Sequence, residues 1–205
     1  MLQSINLSCS TRNLRAAIAA CLLLMVYNSG WTQEEREVGV RDSLANSIYR
    51  QQQRPATCWA ACNSMLLAAE DIDSDEEDQI KRMSRIIPDW GLRGAGAHFE
   101  FASKALGGIY GDRRVGVWFR DRRYPGHARG MNREFVEILG RGQPCMVATP
   151  QHGMVAIGVR FQSFPDGQIQ ILAVEVLDPN PGSGGRRWLP QFELLQVFGF
   201  MAVRN

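Results

Sequence analysis

The sequence predicts an α+β fold in which helices come first and an antiparallel sheet follows. Two observations support this. Between Cys58 and Leu106, helix formers are common and apolar residues recur at helical spacing. From Cys145 onward, short runs rich in Val, Ile and Met are separated by turn residues such as Pro165-Asp166-Gly167, which is typical of antiparallel strands. At 205 residues and 45% apolar content, the chain can form one domain with a processed leader.

Residues 1–30 have the pattern of an export signal. Arg12 and Arg15 supply positive charge, and the apolar run from Ala16 to Tyr27 is too short to span a bilayer comfortably. We therefore expect a secreted or periplasmic protein without a stable membrane span after processing. A retained N-terminal anchor is the alternative.

Removing residues 1–30 leaves 21 basic and 21 acidic residues, so the mature chain is formally neutral. That balance does not support nucleic-acid binding. Residues 31–50 are polar and mixed, and they predict an extended or loosely helical lead-in. The folded domain is then expected to comprise residues 51–205.

The segment from Gln51 to Met65 predicts a polar loop that becomes a helix at Cys58. Pro55 disfavours helix before it, and Thr57 can cap the helix that follows. The unpaired N–H groups and positive dipole at a helix start favour the thiolate of Cys58. Gln52, six residues upstream, offers an amide donor. A thiolate preceded by such a donor provides a nucleophile and one arm of an oxyanion hole, as acyl transfer requires.

Two further helices and an arginine-rich segment follow. Ser74 and Glu77 predict a capping box that opens a helix to about Ile87, and His98 to Leu106 predicts a second helix. Residues 112–133 contain seven arginines, which favours a solvated loop between the two halves of the chain. An anionic substrate face is the alternative there.

The last third predicts a helix over Asn132 to Leu139 and then the strands of the sheet. His152 opens the strand that continues through Met154 to Val159, and the strand from Ile169 to Leu177 ends at Asp178. Antiparallel pairing brings the start of one strand next to the end of the other, so the side chains of His152 and Asp178 should meet at one edge of the sheet. A carboxylate beside an imidazole can orient it as a general base. The remaining predicted strands are Cys145 to Ala148 and Phe198 to Val203.

Three stretches together resemble the papain-like cysteine peptidases in their bacterial form. They are Gln52 with Cys58-Trp59-Ala60-Ala61, the run Gln151-His152-Gly153-Met154-Val155, and the run Leu177-Asp178-Pro179-Asn180-Pro181-Gly182. The chain is similar to leader peptidases of bacteriocin exporters and to secreted papain-like effectors of plant pathogens. The resemblance covers most of the chain from Gln51 onward.

The resemblance implies a papain-like fold, with the catalytic cysteine at a helix start and the His and Asp on the sheet. It makes Cys58 the nucleophile, His152 the base, Asp178 the orienting acid and Gln52 the oxyanion donor. Papain itself uses Asn as the third member, and Asn180 lies two residues past Asp178. The implied substrate is a peptide or protein, with no metal and no organic cofactor. Similar folds also hydrolyse cell-wall amides, deamidate side chains, or bind without catalysis in toxin-related domains.

Three cysteines remain after removal of residues 1–30, and an odd number leaves at least one thiol free. A free Cys58 with a Cys62–Cys145 bridge fits an exported protein. Equally, Cys62 fits a small buried residue one helical turn after Cys58. The oligomeric state is left open.

Overall fold

The computed structural model describes residues 34–88, 98–182 and 184–204. The predicted export signal in residues 1–30 and its predicted cleavage lie outside these ranges. Within them the fold is α+β, as predicted, and no helix is both long enough and apolar enough to cross a bilayer. The helices are α1 (Asp42–Ile48), α2 (Cys58–Ala68), α3 (Glu76–Ile86), α4 (Phe99–Leu106), α5 (Met131–Gly140) and α6 (Gln191–Leu194). The strands are β1 (Glu35–Gly39), β2 (Gly108–Tyr110), β3 (Arg113–Asp121), β4 (Cys145–Ala148), β5 (Gly153–Ser163), β6 (Ile169–Asp178), β7 (Gly185–Trp188) and β8 (Gly199–Arg204).

The strands form one antiparallel sheet in the order β2-β3-β8-β4-β5-β6-β7, and β1 also pairs with β5. β5 is central because β4 pairs with its first half and β1 with its second, while β6 covers its other edge. Gly153 to Val159 are all buried, and α2 and α5 both pack against β5. Both faces of this stretch are therefore covered, which explains its continuous apolar sequence.

Helix α2 lies in the core. Its residues from Trp59 to Leu67 are all buried, including the polar Asn63. The side-chain amide of Asn63 donates to the Ala102 carbonyl at 3.0 Å and to Gln79 Oε1 at 3.2 Å, which joins α2 to α4 and α3. A helix that is buried on all sides is held by tertiary packing. The position of its first residue, Cys58, is thereby fixed.

The start of α3 differs from the predicted capping box by one residue. Asp75 is the N-cap, and its carboxylate accepts the N–H of Asp78 at 2.9 Å. Ser74 instead accepts from the side-chain amide of Gln79 at 2.9 Å. The prediction of Ser74 and Glu77 as the capping pair was wrong because two overlapping pairs fit the same pattern. The buried Gln79 uses the Ser74 hydroxyl.

The prediction of a solvated loop for residues 112–133 holds for only part of the segment. Residues 122–130 form mostly exposed turns, but residues 113–121 form β3, of which Gly116–Asp121 pair with β8. Val115 is buried, and Phe119 is half-buried against the core. Arg120 binds Glu134 of α5 through two hydrogen bonds of 2.6 and 2.9 Å. The apolar run Val117-Trp118-Phe119 within the segment was the available signal for this strand.

The predicted lead-in contributes secondary structure to the folded unit. Residues 35–39 form β1 beside β5, and residues 42–48 form α1. Ala45 and Ile48 of α1 are buried. The hydroxyl of Tyr49 donates to the backbone carbonyl of Asp178 at 3.3 Å, so this segment reaches the end of β6.

Candidate active site

Cys58 is the first residue of α2, as predicted, but the helix is not capped by a threonine side chain. The hydroxyl of Thr57 lies 2.6 Å from Glu76 Oε1 and 2.7 Å from the Arg54 carbonyl. Thr57 contributes its backbone carbonyl, which accepts the N–H of Ala60 at 2.8 Å. The prediction of Thr57 as a side-chain cap was wrong because the carboxylate of α3 binds its hydroxyl.

The hairpin between β4 and β5 positions His152 next to Cys58. The N–H of Thr149 donates to the His152 carbonyl at 2.9 Å, and the N–H of His152 donates to Thr149 Oγ1 at 3.2 Å. The N–H of Gly153 then donates to Cys58 Sγ at 3.4 Å. The imidazole of His152 lies close enough to the Cys58 side chain for each group to shift the pKa of the other.

Asp178, at the end of β6, lies against the other side of the imidazole. Its Oδ1 is 2.7 Å from His152 Nε2, which leaves Nδ1 as the ring nitrogen for Cys58. The backbone N–H of Asn180 also donates to Oδ1, at 3.0 Å, and Arg187 donates to Oδ2. The structure thus brings Cys58, His152 and Asp178 into one continuous chain of contacts.

The charges of this chain of contacts favour an ion pair. Burial alone would raise the pKa of the Cys58 thiol, yet hydrogen bonds from His152, Gly153 and Trp59 lower it overall. Burial likewise opposes the imidazolium, but Asp178 and the Cys58 sulfur together raise the pKa of His152 to about 9. Asp178 is buried, and the hydrogen bonds that it accepts lower its pKa to about 2. These shifts favour a thiolate on Cys58 beside an imidazolium on His152, with Asp178 as a carboxylate.

Gln52 lies in the loop before α2, but its carboxamide is turned toward its own loop. The side-chain nitrogen donates to the Arg54 carbonyl at 3.1 Å. The backbone N–H of Gln52 donates to the Pro179 carbonyl at 2.9 Å, which ties this loop to the residue after Asp178. The loop is therefore adjacent to the site, while the carboxamide makes a local contact.

Arg187 and Glu76 support the site, and sequence reasoning missed both. Arg187 lies on β7, next to β6, and binds Asp178. Glu76, the first residue of α3, accepts the N–H of Gln53 at 2.8 Å and the hydroxyl of Thr57. A charged residue in a short strand after a Gly-rich turn was the available signal for Arg187. For Glu76 the signal was weaker, because the acidic run around it also fits the first turn of any helix.

We expect Glu76→Ala to destabilise the protein by about 1–2 kcal/mol, because the part-buried N–H of Gln53 loses its acceptor and the buried hydroxyl of Thr57 keeps only the Arg54 carbonyl. The loss of stability is measured by thermal unfolding of the variant and the wild type, followed by circular dichroism. Glu77→Ala is the matched control: Glu77 pairs with Arg54 at the surface, where such pairs contribute about 0–1 kcal/mol. Equal losses for the two variants would show that Glu76 does not hold the loop.

Cys62 and Cys145 are free and fully buried, so the bridge between them is absent from the structure. Cys62 instead matches the other interpretation, a small buried residue one turn after Cys58. Burial raises the pKa of the Cys62 thiol well above its usual value, and burial also raises the pKa of Cys145. We therefore expect both thiols to react slowly in the folded protein.

Thiol labelling separates these cysteines. In the folded protein we expect iodoacetamide to modify Cys58 and to leave Cys62 and Cys145 unmodified. After denaturation without reductant, all three should be modified, because none is bridged to another. Peptide mapping by mass spectrometry gives the result, and a Cys62–Cys145 peptide pair in the unreduced digest would contradict it.

A cavity of about 170 Å³ adjoins Cys58 and His152. Its walls include apolar side chains from α4, β4 and the segment before β8, namely Phe99, Met146 and Phe198. A cavity of this size holds about one side chain of a bound molecule. In the parts of the chain that the structure describes, no three His, Cys, Asp or Glu side chains lie close enough together to bind a metal ion.

No protein-family model matches this sequence, and no curated protein matches it. Among solved structures, the chain is similar to a double glycine motif protease from an AMS/PCAT transporter, crystallised in complex with the leader peptide. The two are 16% identical with a TM-score of 0.45, and the match covers 81% of this chain and 96% of that one.

Proposed function

We propose that this protein is a papain-like cysteine peptidase that hydrolyses peptide bonds through Cys58, His152 and Asp178. One observation supports this above all others: the side chains form a chain of contacts from a buried carboxylate through an imidazole to a thiol at a helix start. The 2.7 Å contact between Asp178 Oδ1 and His152 Nε2 fixes the ring orientation. Nucleophile, base and orienting acid are thus held in the order that acyl transfer needs.

In the proposed reaction, the Cys58 thiolate attacks the carbonyl carbon of the scissile bond. The imidazolium of His152 gives its proton to the leaving amine, and a thioester remains on Cys58. Neutral His152 then takes a proton from a water molecule, which attacks the thioester and releases the acid. Asp178 keeps one ring nitrogen bonded throughout, so that the other stays directed at the reacting atoms.

The oxyanion of each tetrahedral intermediate needs donors, and we assign the Cys58 backbone N–H and the Gln52 carboxamide to it. The side-chain nitrogen of Gln52 has two N–H donors, and in the structure it donates to the Arg54 carbonyl. On substrate binding the Gln52 side chain would turn from Arg54 toward the oxyanion. Hydrogen bonds of this kind often form only in the complex with substrate.

The proposal includes export and a mature chain that acts outside the cytoplasm, since residues 1–30 have the composition of a signal. A peptide or protein is the proposed substrate. The cavity beside Cys58 and His152 would accept one of its side chains.

A digest of a peptide library, read by mass spectrometry, tests the proposal, with Cys58→Ala as the matched control. New termini that appear with the wild type and not with the variant support peptide-bond hydrolysis. Conversion of Gln to Glu without new termini would instead identify a deamidase, and release of cell-wall fragments only would identify an amidase. No conversion of any substrate, together with slow alkylation of Cys58, would favour a non-catalytic binding domain.

A further inference from the structure

We infer that Arg187 is a positioning residue for the site: it binds Oδ2 of Asp178, and so holds the other oxygen, Oδ1, against His152. This inference rests on the proposed function of Cys58, His152 and Asp178. Through Arg187 and its partner Glu193, β7 and α6 also contribute to the site. The sequence pattern did not indicate this contribution.

The contacts between Arg187 and Asp178 are specific. Arg187 donates to Asp178 Oδ2 from Nε at 3.0 Å and from Nη2 at 2.7 Å. Asp178 Oδ1 meanwhile faces His152 Nε2 and the N–H of Asn180. Each carboxylate oxygen therefore has two donors, which fills the usual acceptor capacity of a carboxylate. A carboxylate that is bonded at all four positions has one stable orientation.

Glu193 of α6 holds Arg187 in turn. Arg187 Nη2 lies 2.8 Å from Glu193 Oε2, and the two side chains are 27% and 25% exposed. The two hydrogens of Nη2 are thus shared between Asp178 and Glu193. Side-chain contacts connect the surface of α6 to the sulfur in the order Glu193, Arg187, Asp178, His152, Cys58.

Several elements present titratable groups to Asp178. The nearest are His152 before β5, Cys62 on α2, Tyr49 after α1 and Arg187 on β7. Two more act through these: Glu193 of α6 through Arg187, and Cys58 through His152. Arg187 is the one lasting cation among these groups, because His152 loses its charge as pH rises.

Removal of Arg187 acts on the Cys58 thiolate through the orientation of Asp178. Without Arg187, Asp178 Oδ2 loses both of its donors, so the carboxylate is no longer held in one orientation and its contact with His152 Nε2 weakens. The lost charge itself favours the imidazolium and disfavours the thiolate, so its effects on the ion pair offset each other. The weaker contact gives the imidazolium less support, and the Cys58 thiolate therefore appears at higher pH.

The test is the rate of Cys58 alkylation by iodoacetamide as a function of pH, with the label located by mass spectrometry. Arg187→Gln keeps one donor for Asp178 Oδ2 but carries no charge. We expect it to raise the midpoint, which is the pH at which the alkylation rate of Cys58 is half-maximal, by about 1 unit. Arg187→Lys should reverse part of the rise, because an ammonium gives Asp178 Oδ2 a charged donor but not the two-bond contact. Arg186→Gln is the matched control: Arg186 is its sequence neighbour and binds Glu175 and Asp42 instead.

An unchanged midpoint in folded Arg187→Gln would overturn the inference, as would an equal rise in Arg186→Gln. If Arg187→Gln does not fold, Arg187→Lys decides: a raised midpoint supports the inference, and a wild-type midpoint overturns it. The alkylation needs no substrate. If the midpoint is unchanged and the protein cleaves peptides, the role of Arg187 is excluded and the proposed function stands. If the midpoint is raised and the protein cleaves no peptide, the proposed peptidase function is excluded and the role of Arg187 stands.

Discussion

Replacement of Cys58 by alanine is expected to lower peptide hydrolysis by about 10⁴-fold or more, because the proposed reaction passes through a thioester on this sulfur. His152, Asp178 and the backbone donors remain in this variant, yet they cannot form the covalent intermediate. The measurement is kcat/KM on a peptide taken from the library digest. Circular dichroism and thermal unfolding should show that the variant stays folded, since alanine suits the first turn of a helix.

Cys62→Ala is the matched control for this experiment, because it makes the same chemical change one helical turn further along α2. Cys62 is fully buried and lies outside the proposed chain of contacts, so the change should cost stability rather than turnover. Retained turnover in Cys58→Ala, or an equal loss in both variants, would show that the nucleophile is elsewhere.

The hairpin that carries His152 and Asp178 could be predicted because its sequence pattern is local and strong. Met154 to Val159 is continuously apolar, a turn of Pro, Asp and Gly follows, and the next apolar run ends at Asp178. Antiparallel pairing alone then places the two side chains at one edge. In the structure Val155 pairs with Leu177, which brings His152 and Asp178 within hydrogen-bond distance.

The side-chain contacts of the site could not be read from the sequence in the same way. The Gln52 carboxamide bonds the Arg54 carbonyl because of a local choice of rotamer, and no spacing rule determines that choice. Arg187 meets Asp178 only through the register of β6 and β7, which the loop between them sets. Cys62 and Cys145 could be bridged or unbridged on sequence grounds, since cysteine number does not determine pairing.

The structure also explains why a strong charge pattern hid the strand over residues 113–121. Two arginines in or next to this strand are bound by carboxylates of the fold. Arg120 binds Glu134 of α5, and Arg123 binds the fully buried Asp121 at the end of β3. Charge that is paired in the fold is compatible with a strand, and composition alone does not show pairing.

Asp178→Ala is expected to lower turnover by at least about 10²-fold and to narrow the active pH range from its basic side. In the wild type, Asp178 and the Cys58 sulfur raise the pKa of His152 to about 9, against the effect of burial. Without Asp178, burial is opposed by the sulfur alone, and Arg187 is left as an uncompensated positive charge nearby. Both changes lower the pKa of His152.

The sign of the pH effect follows from the form of His152 that the reaction uses. The leaving amine needs the proton of the imidazolium, so activity falls as pH rises through the pKa of His152. A lower pKa therefore moves the basic limb of the kcat/KM profile to lower pH. Asn180→Ala should leave this limb near its wild-type position, because Asn180 contacts Asp178 through its backbone N–H, which alanine retains.

The comparison of these two variants decides the third member of the proposed triad. Asp178 is 3% exposed and lies 2.7 Å from His152 Nε2 through its side chain, whereas Asn180 lies between two prolines that direct the chain away from the strand. The profiles of wild type, Asp178→Ala and Asn180→Ala should be measured on one peptide, with thermal unfolding to show that each variant is folded. A large loss in Asn180→Ala with a wild-type profile in Asp178→Ala would mean that the asparagine, as in papain, orients the imidazole.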